Sequence, residues 1–158
     1  MRIPRIEAVE AAEKPFTLRI VWTRGPVTEV DLTEPISRLK GLRSLREPGF
    51  FSRVQVGEDG HSVCWPEEIE MGADSLWRRA QEQAGNFIPR EQFHAWRERH
   101  RLSLTKAAGV LGLSRRMVAY YESGQAPIPK LVGLACRGWE MEVEGEHAAE
   151  PEKKRATS

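Results

Sequence analysis

One stretch, residues 102–124, limits what this chain can fold into more than any other, because its pattern predicts two short helices joined by a tight turn. Ala108 and Leu111 lie on one face of the first predicted helix. Gly112 follows and can adopt the positive φ that ends a helix, and Ser114 is a favourable N-cap for the next one. Helix, turn and helix therefore follow each other without a gap.

The second predicted helix, residues 114–123, has two different faces. Val118 and Tyr121 are three residues apart and form an inward stripe, with Met117 beside them. The opposite face carries Arg115, Arg116, Ala119 and Tyr120. In a helix-turn-helix the first residues of the second helix enter the major groove, where Arg can donate two hydrogen bonds to guanine. The pattern therefore indicates a DNA-binding segment.

The same residues carry a family resemblance. Ala108, Gly112, Ser114, Val118 and the closing Glu122-Ser123-Gly124 resemble the helix-turn-helix of the lambda-repressor-like (Cro and Xre) DNA-binding domains, over about residues 93–139. The resemblance implies a structural ion pair between Arg97 and Glu122, and base contacts from Arg115, Arg116 and Tyr120.

The chain departs from the family pattern at two positions. Leu104 stands where a phosphate-contacting Gln usually opens the first helix of the pair, and Ser123 replaces the usual Asn before the closing Gly. Phosphate contacts are therefore expected from neighbouring groups, with Arg99 and Arg101 as further candidates. The predicted DNA-contacting set is Arg115, Arg116, Tyr120, Ser103, Thr105, Lys106, Ser114 and Lys130.

Charge is distributed unevenly along the chain. The formal net charge is only +1, but residues 90–140 hold nine Lys and Arg against four Asp and Glu, a net of +5. Neutralisation of DNA phosphates requires such a basic segment. The alternative is an Arg-rich solvated helical surface, which the helix-turn-helix pattern makes the weaker interpretation.

The amino-terminal part predicts a small antiparallel sheet. Apolar and polar residues alternate in several short segments separated by Gly and Pro, and apolar residues recur every three positions between 36 and 48, which indicates short helical turns. The predicted strands are residues 5–10, 16–22, 27–32, 51–56 and 61–65. Followed by the helical segment, this sheet predicts an α+β chain.

This part also has a resemblance. Its order of strands, a Leu-rich short helix, a strand pair, then Trp65-Pro66 and Leu76-Trp77, is similar to the bacterial family known as domain of unknown function 2442, over about residues 3–78. Some members of that family are fused to a Cro-like helix-turn-helix, and some occur in gene pairs suggestive of toxin-antitoxin systems. The resemblance implies no catalytic residues.

These patterns predict the organisation of the chain. Residues 1–83 form the α+β domain, 84–89 a linker, 90–140 the helix-turn-helix domain and 141–158 a disordered tail. The first domain ends in a helix at 73–83 with Asp74 as N-cap. Leu131, Leu134 and Ala135 are expected to pack the closing helix, which should end near Gly138 or Trp139.

Catalytic and metal-binding chemistry is not predicted. His61 and Cys64 would point to opposite faces of a strand, which prevents a nucleophile–base pair. His94 and His100 lie about 120° apart around a helix, a poor geometry for a shared metal. With no phosphate-cradling glycine motif, we expect no enzyme activity, cofactor or metal.

The cellular setting follows from apolar runs and cysteines. The longest apolar runs are too short for a membrane span, and acids interrupt the amino-terminal segment where a signal peptide would be apolar. Cys64 and Cys136 are the only two cysteines and are far apart, which favours free thiols in a cytoplasmic protein.

The sequence therefore predicts a bacterial, sequence-specific transcriptional regulator that binds double-stranded DNA through residues 114–123. We expect a homodimer, since proteins of this type usually place two half-sites about one helical turn apart. The alternative is an antitoxin-like module whose amino-terminal sheet, with Phe50, Phe51 and Trp65, binds a partner protein and whose DNA binding serves autoregulation.

Overall fold

The chain folds into two units, each with its own hydrophobic core. A computed structural model describes the backbone of residues 2–156 and the side chains of residues 2–146. The units are Met1–Ala84 and Gly85–Ser158. Small antiparallel sheets occupy the first unit and helices dominate the second, so the α+β prediction is confirmed.

The first unit begins with three strands and ends with a helix. Its strands are β1 (Ile6–Ala11), β2 (Thr17–Trp22), β3 (Thr28–Asp31), β4 (Gln55–Val56), β5 (Ser62–Trp65) and β6 (Ile69–Gly72). Its helices are α1 (Thr33–Arg38), a 3-10 segment (Lys40–Arg46), α2 (Pro48–Phe51) and α3 (Ala73–Gln83).

Strands β1, β2 and β3 form one antiparallel sheet in that order. The alternation along β2 turns Leu18 and Ile20 inward, and Leu18 pairs with Val30 of β3. All three side chains are fully buried. This side of the sheet therefore supplies the centre of the unit's core, as the period of two requires.

The second sheet contains a strand that the sequence did not predict. Strands β4, β5 and β6 pair antiparallel in that order, and Trp65 of β5 lies opposite Ile69 of β6. Between them Glu67 and Glu68 adopt φ values of 65° and 60°. Because Gly and Asn are the usual residues for such turns, glutamates gave no hairpin signal, and the predicted strands of this unit therefore stopped at residue 65.

Two aromatic residues assigned to a partner-binding surface lie in this core. Phe51 and Trp65 are each 4% exposed, with ring centroids 5.9 Å apart. The indole Nε1 of Trp65 donates to the carbonyl of Phe51 at 2.8 Å. Only Phe50 is partly accessible. The prediction that these rings are exposed was wrong for Phe51 and Trp65, because α2 folds back over the sheet.

Helix α3 spans the predicted residues but begins differently. Its N-cap is Gly72, with no side-chain cap. Asp74 lies inside the first turn, where its carboxylate accepts from the Ser75 amide at 2.8 Å. The prediction of Asp74 as N-cap was therefore wrong by two positions. Leu76 and Ala80 are buried and form the inward face of this helix.

Within residues 85–156 the second unit contains four helices and one short strand pair. Its elements are β7 (Phe87–Ile88), α4 (Arg90–Arg99), α5 (Leu104–Leu111), α6 (Arg115–Ser123), β8 (Ile128–Pro129) and α7 (Lys130–Ala156). Phe87 pairs with Pro129 and Ile88 with Ile128. Part of the segment predicted as a linker is thus a strand of this unit. The sequence did not predict it because a strand of two residues is too short to show alternation of apolar and polar residues.

The buried face of α7 differs from the predicted one. Val132 and Cys136 are buried, whereas Leu131 is 74% exposed and Leu134 46% exposed. Val132 and Cys136 are four residues apart and share one helix face, and Ile128, buried in its strand pair just before the helix, belongs to the same core cluster. The expected packing of Leu131 and Leu134 was therefore wrong.

Helix α7 is also longer than expected, since it continues to Ala156 through most of the predicted disordered tail. Glu, Ala, Met and Lys are favourable helix formers, so a helix here does not require an apolar face. The final two residues of the predicted tail lie outside the described residues. No helix within residues 2–156 has the length and hydropathy of a membrane span.

Candidate nucleic-acid interface

Two capped helices and the turn between them form the centre of the candidate site. The Ser103 hydroxyl accepts from the Lys106 amide at 3.1 Å and begins α5. Gly112 ends that helix with a left-handed φ of 69°. Ser114 begins α6, and its hydroxyl accepts from the Met117 amide at 3.1 Å. The caps at Gly112 and Ser114 are those that the sequence predicts.

One face of α6 is held in the core of the unit. Val118 is fully buried and Tyr121 is 6% exposed. The Tyr121 ring meets that of Phe93 edge-on, with centroids 5.8 Å apart, and burial raises the pKa of its hydroxyl. Met117, which was expected beside this stripe, is 38% exposed.

The opposite face of α6 presents the two predicted arginines. Arg116 Nε donates to the Tyr120 hydroxyl at 2.6 Å, and its guanidinium lies 5.4 Å from the centre of that ring. Arg115 is exposed and has no hydrogen bond or ion pair with any of the described side chains. Arg116 therefore lies along the helix surface, while Arg115 keeps all its donors for an external acceptor.

The structure brings Arg97 and Glu122 together, the pair that the family resemblance implies. Arg97 Nε donates to Glu122 Oε1, and Arg97 Nη1 donates to the Leu102 carbonyl at 2.9 Å. His94 Nδ1 lies 2.9 Å from Glu122 Oε2. The Arg97 and Glu122 side chains are 16% and 14% exposed. This cluster joins α4 and the loop after it to the end of α6.

The cluster changes the acidity of its carboxylate. Burial alone would raise the pKa of Glu122, but hydrogen bonds from Arg97 and His94 outweigh it and the pKa is lowered overall. His94 was not predicted to belong to this cluster. Its position three residues before Arg97, on the same side of α4, was the available signal.

A second carboxylate contacts two more side chains of this region. Arg99 Nη2 donates to Glu140 Oε1 of α7, and His100 Nε2 lies 2.8 Å from the same oxygen. Hydrogen bonds from Arg99 and His100 lower the pKa of Glu140. Arg99 was a candidate phosphate contact, but the structure places it in this ion pair between α4 and α7.

The other predicted contacts lie at three helix starts. Thr105 and Lys106 are exposed in the first turn of α5, and Lys130 is exposed at the start of α7. The backbone amide of Lys130 donates to the Asn86 carbonyl at 3.0 Å. The ammonium group of the Lys130 side chain takes no part in this hydrogen bond. Ser103 and Ser114 already use their hydroxyl oxygens as helix caps, so they can offer only a proton.

Ligands for a metal ion are not assembled within the described part of the chain, where no group of three or more His, Cys, Asp and Glu could hold one. His94 and His100 contact different carboxylates. Cys64 and Cys136 are free thiols. Burial, helped by the nearby Glu140 carboxylate, raises the pKa of Cys136 to about 11.

Comparison with known proteins gives one informative match. No family model and no curated protein matches the sequence. The crystal structure of the presumed DNA-binding protein NE0471 of Nitrosomonas europaea matches with 42% sequence identity and a TM-score of 0.54, over 87% of this chain and 86% of that one. The chain belongs to the same family as NE0471. Because the match spans most of both chains, the family includes both units and not only the helical one.

Proposed function

We propose that this chain is a sequence-specific DNA-binding protein that inserts the start of α6 into the major groove. The observation that carries this proposal is the exposed, unpaired Arg115 beside Arg116 at a serine-capped helix start whose opposite face is buried. The DNA-binding role presumed for NE0471 supports it. The resemblance of residues 93–139 to lambda-repressor-like domains supports the same docking mode.

Each residue of the site has a defined task in this proposal. Arg115 donates to a base edge, and Arg116 reaches a base or phosphate from its position against Tyr120. Thr105 and Lys106, at the start of α5, bind the phosphate backbone, and Lys130 adds a further phosphate contact. A good bidentate base contact contributes about 1–3 kcal/mol of discrimination, so two arginines give limited specificity alone.

A homodimer on a two-fold site would double the number of base contacts. Proteins that use this docking mode bind paired half-sites about 34–36 Å apart. We therefore propose that the chain acts as a dimeric transcriptional regulator. In this proposal the first unit, which resembles domain of unknown function 2442, makes no DNA contact. A role for it in the regulator would come from binding a protein partner.

Replacement of Arg115 and Arg116 by Ala tests the proposal. Operator selection from a random DNA pool, followed by salt-dependent affinity measurements, should show loss of sequence preference and a salt slope reduced by roughly 1 for each lost phosphate contact. The matched control replaces the exposed Arg43 and Arg53 of the first unit by Ala, with the same change in charge. Equal sequence preference in the two double variants would contradict the proposal.

The antitoxin-like alternative has less structural support. It requires an apolar surface on the first unit, but Phe51 and Trp65 lie in the core and the exposed apolar residues there, such as Val27 and Val56, are scattered in sequence. Co-expression with the product of the adjacent gene tests it directly. A stable complex that the Arg115→Ala, Arg116→Ala variant retains would favour a partner-binding role.

A further inference from the structure

Helix α7 has a second apolar face opposite the one that packs in its own unit. The inward face carries Val132, Cys136 and Trp139. About half a turn away, Leu131, Leu134 and Met141 are 74%, 46% and 73% exposed. Gly138 and Gly145 lie on this same outer face. The five outer positions, 131, 134, 138, 141 and 145, follow the alternating spacing of three and four residues that is typical of paired helices.

The glycines of this face have no explanation inside the chain. A Cβ atom added at Gly133, elsewhere on the helix, would lie 3.0 Å from Ile88 Cγ2, so that glycine is required by packing. At Gly138 and Gly145 a Cβ would meet nothing within 4 Å. Gly inside a helix costs roughly 1 kcal/mol relative to Ala. Two glycines that cost stability and relieve no crowding in one chain suggest a close approach by another molecule.

We propose that this outer face binds the same face of a second copy of the chain, with the two α7 helices antiparallel. In one register, Leu134 of each copy lies opposite Gly145 of the other, and Met141 lies opposite Gly138. Each large side chain then fills the space left by a glycine, twice over by symmetry. A parallel pair would instead place Met141 against Met141 and Gly138 against Gly138, so the large side chains would hold the helices apart and leave a gap at the glycines.

Charge along one border of the face fits the same register. Arg137 and Glu144 are seven residues apart and flank the apolar residues on one side. Both are exposed, and neither forms an ion pair with the side chains described in one chain. Antiparallel pairing brings the same border of both helices together, so Arg137 of each copy lies within two residues, about 3 Å along the axis, of the position opposite Glu144 of the other, a distance that these long side chains can span. The pair satisfies two charges that a single chain leaves to solvent.

The charge of the helix also favours a partner protein over a membrane. Glu144, Gly145 and Glu146 are all exposed. The acidic Glu142, Glu144 and Glu146 would oppose binding to an anionic lipid surface instead.

The oligomeric state of the full chain without DNA gives the first test. Analytical ultracentrifugation should show a dimer that Leu134→Glu converts to a monomer. The matched control is Leu39→Glu in the first unit, where the leucine is similarly exposed at 41%. Circular dichroism should show both variants folded. A wild-type monomer at all measurable concentrations, or dissociation by both variants alike, would overturn the proposal. Since no DNA is present, this result is independent of the DNA-binding proposal.

Disulfide cross-linking tests the register. In chains that carry Cys64→Ser, oxidation of a mixture of differently tagged L134C and G145C chains should link the two tags. In the antiparallel register, the two L134C sites would be about 16 Å apart along the axis and should not link to each other. Efficient L134C self-linkage would overturn the antiparallel arrangement. Buried Cys136, with its pKa raised to about 11, should stay unreactive.

A glycine substitution separates pairing from helix stability. Gly138→Ala removes the helix penalty of glycine and should make the isolated chain more stable, but it fills the space proposed for Met141 of the other copy. We therefore expect Gly138→Ala to raise the dissociation constant of the dimer severalfold. In a chain that also carries Leu134→Glu and is therefore monomeric, the same substitution should raise the temperature of thermal unfolding. Tighter dimerisation by Gly138→Ala would contradict the proposed packing.

Discussion

Helices α4 and α6 are both rich in arginine, but they use it differently. Arg97 and Arg99 of α4 donate to Glu122 and Glu140, whereas Arg115 of α6 contacts no described acid and Arg116 contacts Tyr120. Counting charges along residues 90–140 treats these cations as equal. The difference teaches that the carboxylates on neighbouring helices decide which cations hold the fold and which are available to DNA phosphates and bases.

The largest effect is expected from Arg97→Ala. This change leaves Glu122 largely buried with only His94 beside it, and breaking a buried pair by removing one partner costs about 3–5 kcal/mol. The side chains are 16% and 14% exposed, so we expect a loss near the lower end, about 3 kcal/mol. Urea unfolding of the full chain, followed by far-UV circular dichroism, measures it.

Arg115→Ala is the matched control, because it removes the same charge from an exposed position. Surface substitutions of this kind usually change stability by less than about 0.5 kcal/mol. If the two variants lost equal stability, the distinction between structural arginines on α4 and available arginines on α6 would not hold.

Local signals in the sequence were sufficient to predict the C-cap of α5 and the N-cap of α6, since Gly112 and Ser114 act within one turn of the chain. The Arg97–Glu122 contact followed from the family resemblance. By contrast, the contact of Arg99 and His100 with Glu140 spans about forty residues and depends on the rotation of α7. That rotation buries Val132 and Cys136, whereas the sequence pattern had favoured Leu131 and Leu134. Long-range contacts therefore determined which basic residues remained available.

The next largest effect is expected from acidification, because the carboxylates that hold the arginines of α4 lose their charge at low pH. The pKa values of Glu122 and Glu140 are lowered from the ordinary value of 4.5. Folded-state pKa values below the unfolded ones mean that both contributions are fully present above about pH 4.5 and are lost as the pH falls through the lowered values. The free energy of unfolding should therefore decrease on acidification through this range.

Glu122→Gln provides the comparison for that titration. It should reduce stability at neutral pH by less than Arg97→Ala, because it leaves no unpaired buried carboxylate, and it should flatten the acid limb of the curve. Glu91→Gln, at an exposed position on α4 outside this cluster, is the control. An acid limb as steep in Glu122→Gln as in wild type would assign the acid sensitivity to other carboxylates.

The smallest effect is expected from Tyr120→Phe, which removes the acceptor of Arg116 Nε and keeps the ring. An exposed pair four residues apart on a helix contributes about 0.2–0.5 kcal/mol, so stability should hardly change. DNA affinity then separates two roles of the tyrosine. If the hydroxyl only orients Arg116, Tyr120→Phe should have no effect in an Arg116→Ala background, whereas a direct DNA contact by the hydroxyl would weaken binding equally with or without Arg116. A double-mutant cycle on operator affinity measures the coupling free energy between the two substitutions. A large coupling free energy would show that α6, like α4, uses a neighbouring side chain to position one of its arginines. Of the two arginines of α6, Arg115 would then be the unconstrained one.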